Sequence, residues 1–462
     1  MKRKNARVSQ TAIGQLLLLS VFLLALTVLR TAVATHGAMN QNEAFLSVCA
    51  AHPAGGYVEG PAGVPLLLAL LKVFSISGLP FLRVISPLFA LILSWSIWWI
   101  GRHVAPHRAS VALWAVLGVN LLPPVNLAAL TIDGAMVSAS LILLAIVAGW
   151  HASQSQGKEE LKAWGLFGFS LAITTLFFQP VGWLLLLAMI FHFVSHGVKS
   201  IPWRGLIAST SLLALAWVSP VAWNARHDWI QWSSIASGFD FVHFGRFSCS
   251  LTLLVLTSSL VVPFLVRLAY SGRWWRGLIL FIALLFLGAS SLILLLPSSI
   301  PAGLPSPIGV QGTEALSEVI VSLRDSRTDI KGNKSFLIAS SPGLAALLGE
   351  RILIDYREQP GAPSVFAAES PSINSSFALW PNYADAISVA AKDPFYTEEK
   401  FASPFLGRNA LYITSESKED LPQTITGAFG LVELLKEVPL NWNGRQVVVK
   451  IYLCEEYRSL AL

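Results

Sequence analysis

Seven acidic residues fall within positions 1 to 297, and five of them, Glu43, Glu59, Asp133, Asp228 and Asp240, fall in segments that share one side of a predicted membrane threading. Orientation in a bilayer is set by Lys and Arg and needs no such gathering of acids. Carboxylates collected on one face can exchange a proton with a bound hydroxyl or hold a polar ligand, so they mark an externally facing polar site. Each has a plainer role as well. Glu43 and Asp133 suit the first turn of a helix, where acids cap backbone N–H groups without doing chemistry.

The elements that position these acids follow from composition. Of the 462 residues, 54% are hydrophobic and only 13% charged, with a mean hydropathy of +0.62. Soluble domains carry about 25% charge, so much of this chain's surface belongs in lipid. Disordered, collagenous and disulfide-stapled classes are excluded. Three cysteines, Cys49, Cys249 and Cys454, form no framework and no zinc spacing. The net charge of +6 divides unevenly. Residues 1–297 hold 18 Lys and Arg against 7 Asp and Glu, a balance of +11, and residues 298–462 hold 14 against 19, a balance of −5. The basic excess orients a membrane half and does not signal nucleic acid.

A spanning helix needs about 20 mostly apolar residues. Nine candidate segments meet or approach this: 11–34, 81–101, 109–126, 134–150, 164–179, 180–195, 205–222, 248–270 and 277–297. The two that flank Gln179-Pro180 also suit one hairpin that does not fully cross. Placing Lys2, Arg3, Lys4 and Arg7 in the cytoplasm puts Arg102, Arg108, Lys158, Lys162, Lys199, Arg204, Arg273 and Arg276 in inner loops, as the positive-inside bias requires. The N-terminus also carries the marks of a secretory signal, with Ala32-Val33-Ala34 as a cleavage site. The expected architecture is an α-helical polytopic membrane protein of about nine transmembrane helices over 1–297, followed by an extracytoplasmic α/β domain over 298–462. Turn-rich sequence from Pro297 marks the linker. Strands are expected at 335–340, 351–356, 409–414 and 446–453, with helices near 342–349 and 383–391.

The first outer loop, residues 40–74, is rich in Gly, Pro and aromatic residues. Its "PLLLALLKVF" is too short to span and reads as an in-plane or re-entrant helix. The loop offers Asn42-Glu43-Ala44-Phe45, then Gly56-Tyr57-Val58-Glu59-Gly60-Pro61. Further on come "LTIDGAM" (130–136), "SPVAWNARHDWIQW" (219–232), "FALWPNY" (377–383) and "GRNALYIT" (407–414). In this order the segments resemble the C-type glycosyltransferases, in the bacterial branch related to dolichyl-phosphate-mannose protein mannosyltransferases and the lipid A aminoarabinose transferase. That branch typically carries Asp-Glu-Ala-Tyr-Tyr in the first outer loop, then Gly-Tyr and an acid shortly before Pro-Pro or Gly-Pro-Gly.

The resemblance implies an enzyme of the bacterial cytoplasmic membrane that moves a sugar from a polyprenyl-phosphate carrier, undecaprenyl phosphate, to a lipid, glycan or protein outside the cytoplasm. An acceptor hydroxyl needs a base. Where relatives carry Asp, this chain has Asn42, whose amide can orient a substrate but cannot take a proton. The catalytic candidates are therefore Glu43 and Asp133. Asn42, Tyr57, Glu59, Arg226, His227 and Asp228 are substrate-binding candidates, and Lys72, Arg83, Arg226 and Arg246 could meet the carrier phosphate. The same cations suit an interface with lipid head groups, and Trp223, Trp229 and Trp232 suit an aromatic belt. No His, Cys and carboxylate cluster has metal spacing, and His192 and His196 lie at the inner end of a helix. A divalent ion held by the outer carboxylates remains compatible with the sequence, though no motif specifies one. Asn42 in place of the relatives' Asp, with Gly60 and Phe178 at or near places where relatives often have a cation, motivates a second reading as a catalytically degenerate, lipid-binding or scaffolding protein. A transporter would need carboxylates in mid-membrane, and the nine segment interiors lack them.

Overall fold

A computed structural model describes residues 2–73, 82–132, 134–197, 201–232, 244–271, 310–329, 331–356, 364–369, 373, 375–384, 403–415, 421–442 and 445–458. Eight of the nine predicted apolar segments are helical there, and the ninth, 277–297, lies outside the described residues. The chain divides into two compact units, residues 1–37 with 53–300 and residues 38–52 with 301–462.

The helices, in chain order, are α1 (Lys2–His36), α2 (Gln41–Ala51), α3 (Gly63–Val73), α4 (Ile85–Val104), α5 (Ala109–Asn120), α6 (Pro123–Leu130), α7 (Ala135–Gln154), α8 (Glu160–Phe177), α9 (Gln179–Ser195), α10 (Trp203–Arg226) and α11 (Phe244–Ser271). Five of these are long and apolar enough to cross a membrane, or six if the bent pair α5 and α6 counts as one span. At 11 residues each, α2 and α3 are too short to cross. Leu18, Val21 and Leu24 on α1, and Phe264 and Leu268 on α11, are more than half exposed in the isolated chain, as lipid-facing side chains should be.

Two local rules shape the helical unit. Small residues let backbones meet: a Cβ added at Gly168 of α8 would stand 2.5 Å from Ser209 Cα of α10, and one at Gly101 of α4 would stand 2.7 Å from Ala112 Cα of α5. The hydroxyl of Ser209 also donates to the carbonyl of Trp164 at 2.7 Å. The second rule concerns proline. Pro123-Pro124 cannot continue α5, because proline lacks an N–H and restricts the residue before it. The chain bends 62° between α5 and α6, which frees backbone carbonyls in a membrane-spanning region. Arg30 of α1, 2% exposed, answers this break. Its guanidinium donates to Asn120 O (3.2 Å), to Asn120 Oδ1 (3.0 Å) and twice to Asn126 Oδ1 (2.9 and 2.7 Å). Asn120 in turn donates to Ser94 Oγ at 2.9 Å, tying in α4.

The second unit holds α12 (Thr313–Ser326), α13 (Pro342–Tyr356), the short helix α14 (Gln423–Thr426) and a six-stranded sheet. Its strands are β1 (Val310–Gln311), β2 (Phe336–Ala339), β3 (Val365–Ala367), β4 (Ala410–Thr414), β5 (Phe429–Trp442) and β6 (Arg445–Tyr457), in the order β1-β5-β6-β4-β2-β3. β2 runs parallel to β3 and β4, and the other pairs are antiparallel. β2 and β4 are buried along their whole lengths, as expected for strands covered on both faces. The strands predicted at 335–340, 409–414 and 446–453 are present as β2, β4 and part of β6. The one predicted at 351–356 is instead the last part of α13. Leu344, Leu348 and Ile352 are all fully buried at intervals of four, so one helical face carries the core contact through the segment. The helix expected near 383–391 lies mostly outside the described residues.

Candidate functional site

Within the helical unit, hydrogen bonds and close contacts tie several helix ends to their neighbours. Arg83, 1% exposed, precedes α4 and donates through Nη1 to Ala34 O (2.8 Å) and Gly37 O (2.6 Å) at the end of α1. A guanidinium on the last carbonyls of a helix satisfies acceptors that have no intrahelical donor and complements the negative end of the dipole. Ser86 of α4 donates to Thr131 O at 2.7 Å, just where α6 gives way to α7. Asp133 follows two residues later in the sequence and lies outside the described residues.

The Gly-Tyr loop joins the same unit. Tyr57 and Gly60 exchange backbone hydrogen bonds (3.2 and 3.3 Å), and the buried Tyr57 hydroxyl accepts from the Ala54 N–H at 3.1 Å. This places Glu59, half-buried, inside the turn they close. Gly55 and Gly56 lie against α10, where a Cβ would stand 2.6 Å from Ser219 Oγ and 3.0 Å from the Trp223 ring. Gly63 likewise lies on Leu176 O at the end of α8. Only glycine permits these approaches. Lys72 is in the last turn of α3 and half-buried.

Beside Trp223, α10 ends in a strained turn. His227 stacks on Trp223 at 4.3 Å, and its Nδ1 sits 2.8 Å from the Trp223 carbonyl. Asp228 and Trp229 both adopt positive φ (52° and 59°), a conformation that costs a non-glycine residue about 1–2 kcal/mol. Asn224 compensates. Its carbonyl accepts from the N–H groups of His227 (3.1 Å) and Trp229 (2.9 Å), and its Nδ2 donates to Gln231 Oε1 (2.9 Å) and Pro220 O (3.0 Å). Gln179, at the start of α9, also approaches Gln231 Oε1, at 3.5 Å. Asn224 Oδ1 is buried with no partner. The outcome is to leave Arg226, Asp228 and Trp229 exposed on a braced turn. Strain of this kind concentrates at functional positions.

Asn42 and Glu43 belong to the other unit. They lie in the first turn of α2, with Glu43 1% exposed. Asn40 and Glu43 form a capping box: Glu43 N–H donates to Asn40 Oδ1 at 2.9 Å, and Asn40 N–H donates to Glu43 Oε2 at 3.1 Å. The α2 helix lies against α13, with Phe45 6.0 Å from Phe377 and His52 stacked on Trp380 at 4.7 Å.

The structure thus sets the Tyr57 and Glu59 loop, through Gly55 and Gly56, against Trp223, on which His227 stacks, and ties Arg83 to the end of α1. It places Glu43 and Asn42 with the C-terminal residues. Arg246 is in α11, with its side chain outside the described set. Among the described residues, no three His, Cys, Asp or Glu side chains are grouped so as to hold a metal ion. Two polar clusters have no counterpart in the sequence-based expectations: Arg30 with Asn120 and Asn126, and Asn224 with Gln179 and Gln231. The first had a signal in the lone Arg inside an apolar run. The second had one in the Trp-Asn pair of "SPVAWNARHDWIQW".

No protein-family model matches the chain, and no curated protein does either. Among solved structures, the fold is similar to the apo crystal structure of ArnT from Cupriavidus metallidurans, at 11% identity and a TM-score of 0.51, covering 95% of this chain and 98% of that one. The chain therefore has the fold of a polytopic membrane protein with a sheet-containing C-terminal part.

Proposed function

We propose that this protein is a membrane glycosyltransferase of the bacterial cytoplasmic membrane. It takes a sugar from a polyprenyl-phosphate carrier, undecaprenyl phosphate, and passes it to a lipid, glycan or protein outside the cytoplasm. The observation that carries the reading is the likeness to ArnT over nearly the full length of both chains, supported by the order of the resembling motifs along the sequence.

The reaction is a single inverting displacement. A carboxylate takes the acceptor's hydroxyl proton, the acceptor oxygen bonds to the anomeric carbon, and the carbon–oxygen bond to the carrier phosphate breaks, its electron pair leaving with the phosphate. Glu43 or Asp133 is the base, and Asn42 orients the acceptor. Tyr57, Glu59, His227 and Asp228 contribute to substrate binding. Arg226, exposed on its turn, is the first choice among cations for the phosphate, followed by Lys72 and Arg246. Arg83 is committed in part to the end of α1, so it serves the site best as a fixed post.

The test is transfer by purified, reconstituted protein from labelled undecaprenyl-phosphate sugars to an envelope fraction. Labelled product would support the reading, and no transfer from any such donor would overturn it. Two observations favour the alternative, a degenerate relative that binds lipid without turnover: Asn42 replaces an acid, and Glu43 serves a helix cap. Undecaprenyl phosphate binding without turnover, together with appearance of transfer in Asn42→Asp, would establish that alternative.

A further inference from the structure

We infer that the C-terminal unit belongs to the catalytic apparatus through two ring contacts, in which Phe377 and Trp380 act as positioning residues for the acid-bearing helix α2. This rests on the reading of Glu43 as a base. Residues 38–52 are separated from residues 301–462 by about 250 positions of chain, yet they form one compact unit with them. The contact is specific. Phe377 and Trp380 flank the end of a 3-10 turn, Ser376–Leu379, and their rings are 5.1 Å apart. Phe377 meets Phe45, two residues after Glu43, at 6.0 Å, and Trp380 stacks on His52 at the far end of α2. The helix is therefore held at its middle and at its C-terminal end, and α13 packs against it.

Eleven residues are too few for a helix to be stable on its own in water. The capping box and these rings must supply what length does not. Aromatic pairs add stabilisation beyond their area burial, which for so short a helix decides whether it holds one orientation. A base misplaced by about 1 Å loses roughly a hundredfold in rate. The "FALWPNY" segment thereby acquires a role: it sets the pose of Glu43 without touching substrate.

The experiment uses the full chain in lipid nanodiscs, with Phe377→Ala, the conservative Phe377→Tyr, and His52→Ala, which removes the second stack from an exposed position. Cys49 of α2 is 1% exposed and reports the pose of the helix, while the buried Cys454 of β6 reports the integrity of the sheet. Site-resolved alkylation should be about tenfold faster at Cys49 in Phe377→Ala and His52→Ala, unchanged at Cys454, and restored in Phe377→Tyr. With a lipid-linked donor, kcat should fall about tenfold to a hundredfold, with KM for the donor within about twofold. Unchanged Cys49 labelling in both alanine variants would overturn the inference, as would faster labelling with full kcat. Absence of transfer by the wild type would count against the glycosyltransferase reading, and the labelling would still decide whether the rings hold α2.

Discussion

Glu43 and Asn40 hold each other: the Glu43 carboxylate accepts the Asn40 N–H at 3.1 Å, and the Asn40 side-chain oxygen accepts the Glu43 N–H at 2.9 Å. The residue best placed by sequence to take a proton is thus also the one that starts its own helix. A carboxylate has two oxygens and about four acceptor positions, and the cap occupies one of them.

This separates two substitutions. Glu43→Gln keeps an oxygen that can complete the cap and loses the base, so kcat should fall by about 10² to 10⁴ with the melting temperature nearly unchanged. Glu43→Ala should lose both, with about 1 kcal/mol less stability. A Gln variant with wild-type turnover would remove Glu43 from the mechanism and leave Asp133, whose Asn variant is then the decisive one.

Arg30 should matter to stability more than its solitary charge suggests. Arg30→Met strands two Asn oxygens and the carbonyl at the α5 break, each costing about 1–3 kcal/mol if unsatisfied. Arg30→Lys should recover little, since an ammonium cannot reproduce the fork. Thermal unfolding in detergent would show both variants well below the wild type, and equal melting temperatures would contradict the assignment.

The turn after α10 makes a prediction of opposite sign. Asp228→Gly relieves the left-handed strain and should stabilise the protein by up to about 1 kcal/mol. Asn224→Ala removes the brace to Gln231 and should destabilise it by about 1–3 kcal/mol. Differential scanning measurements on the two variants should move in opposite directions.

In the C-terminal unit, burial pushes the Cys454 thiol up to about 12, and it raises the Tyr383 and Tyr457 hydroxyls as well. A group whose folded pKa lies above its unfolded value stabilises the fold in full below the unfolded value, and that contribution fades as pH climbs toward the folded one. The sheet should therefore lose stability between about pH 9 and 12. Cys454→Ala should flatten part of that decline, measurable by circular dichroism melts across the range.

Much of this was readable in the sequence because it is periodic or compositional. The apolar runs, the buried strands "FLIA" and "ALYIT", and the glycines of the Gly-Tyr loop all declare themselves locally. The segment 351–356 misled because "RILIDY" is apolar enough for a strand, and only the four-residue spacing back through Leu348 and Leu344 shows the helix. β5 is hidden in the sequence although Asn-Gly at 443–444, a hairpin signal, separates Trp442 from Arg445, which pair. Its Glu433, Lys436, Glu437 and Pro439 disguise it as surface. The partnerships of Arg30 with Asn126, and of Phe45 with Phe377, join residues far apart in the chain. No local pattern encodes such pairs.

The packing of α2 on residues 301–462 also sets an order of events at the ribosome. Phe45 is made about 330 residues before Phe377, so at roughly 5–20 residues per second its partner arrives some 15 to 65 seconds later. Throughout that interval the helical segments are inserting, while α2 waits with its apolar side uncovered. The C-terminal residues synthesised alone would meet the reverse problem, an empty seat on α13 where α2 belongs. The last part of the chain to be born is what lets one of the first become a settled helix.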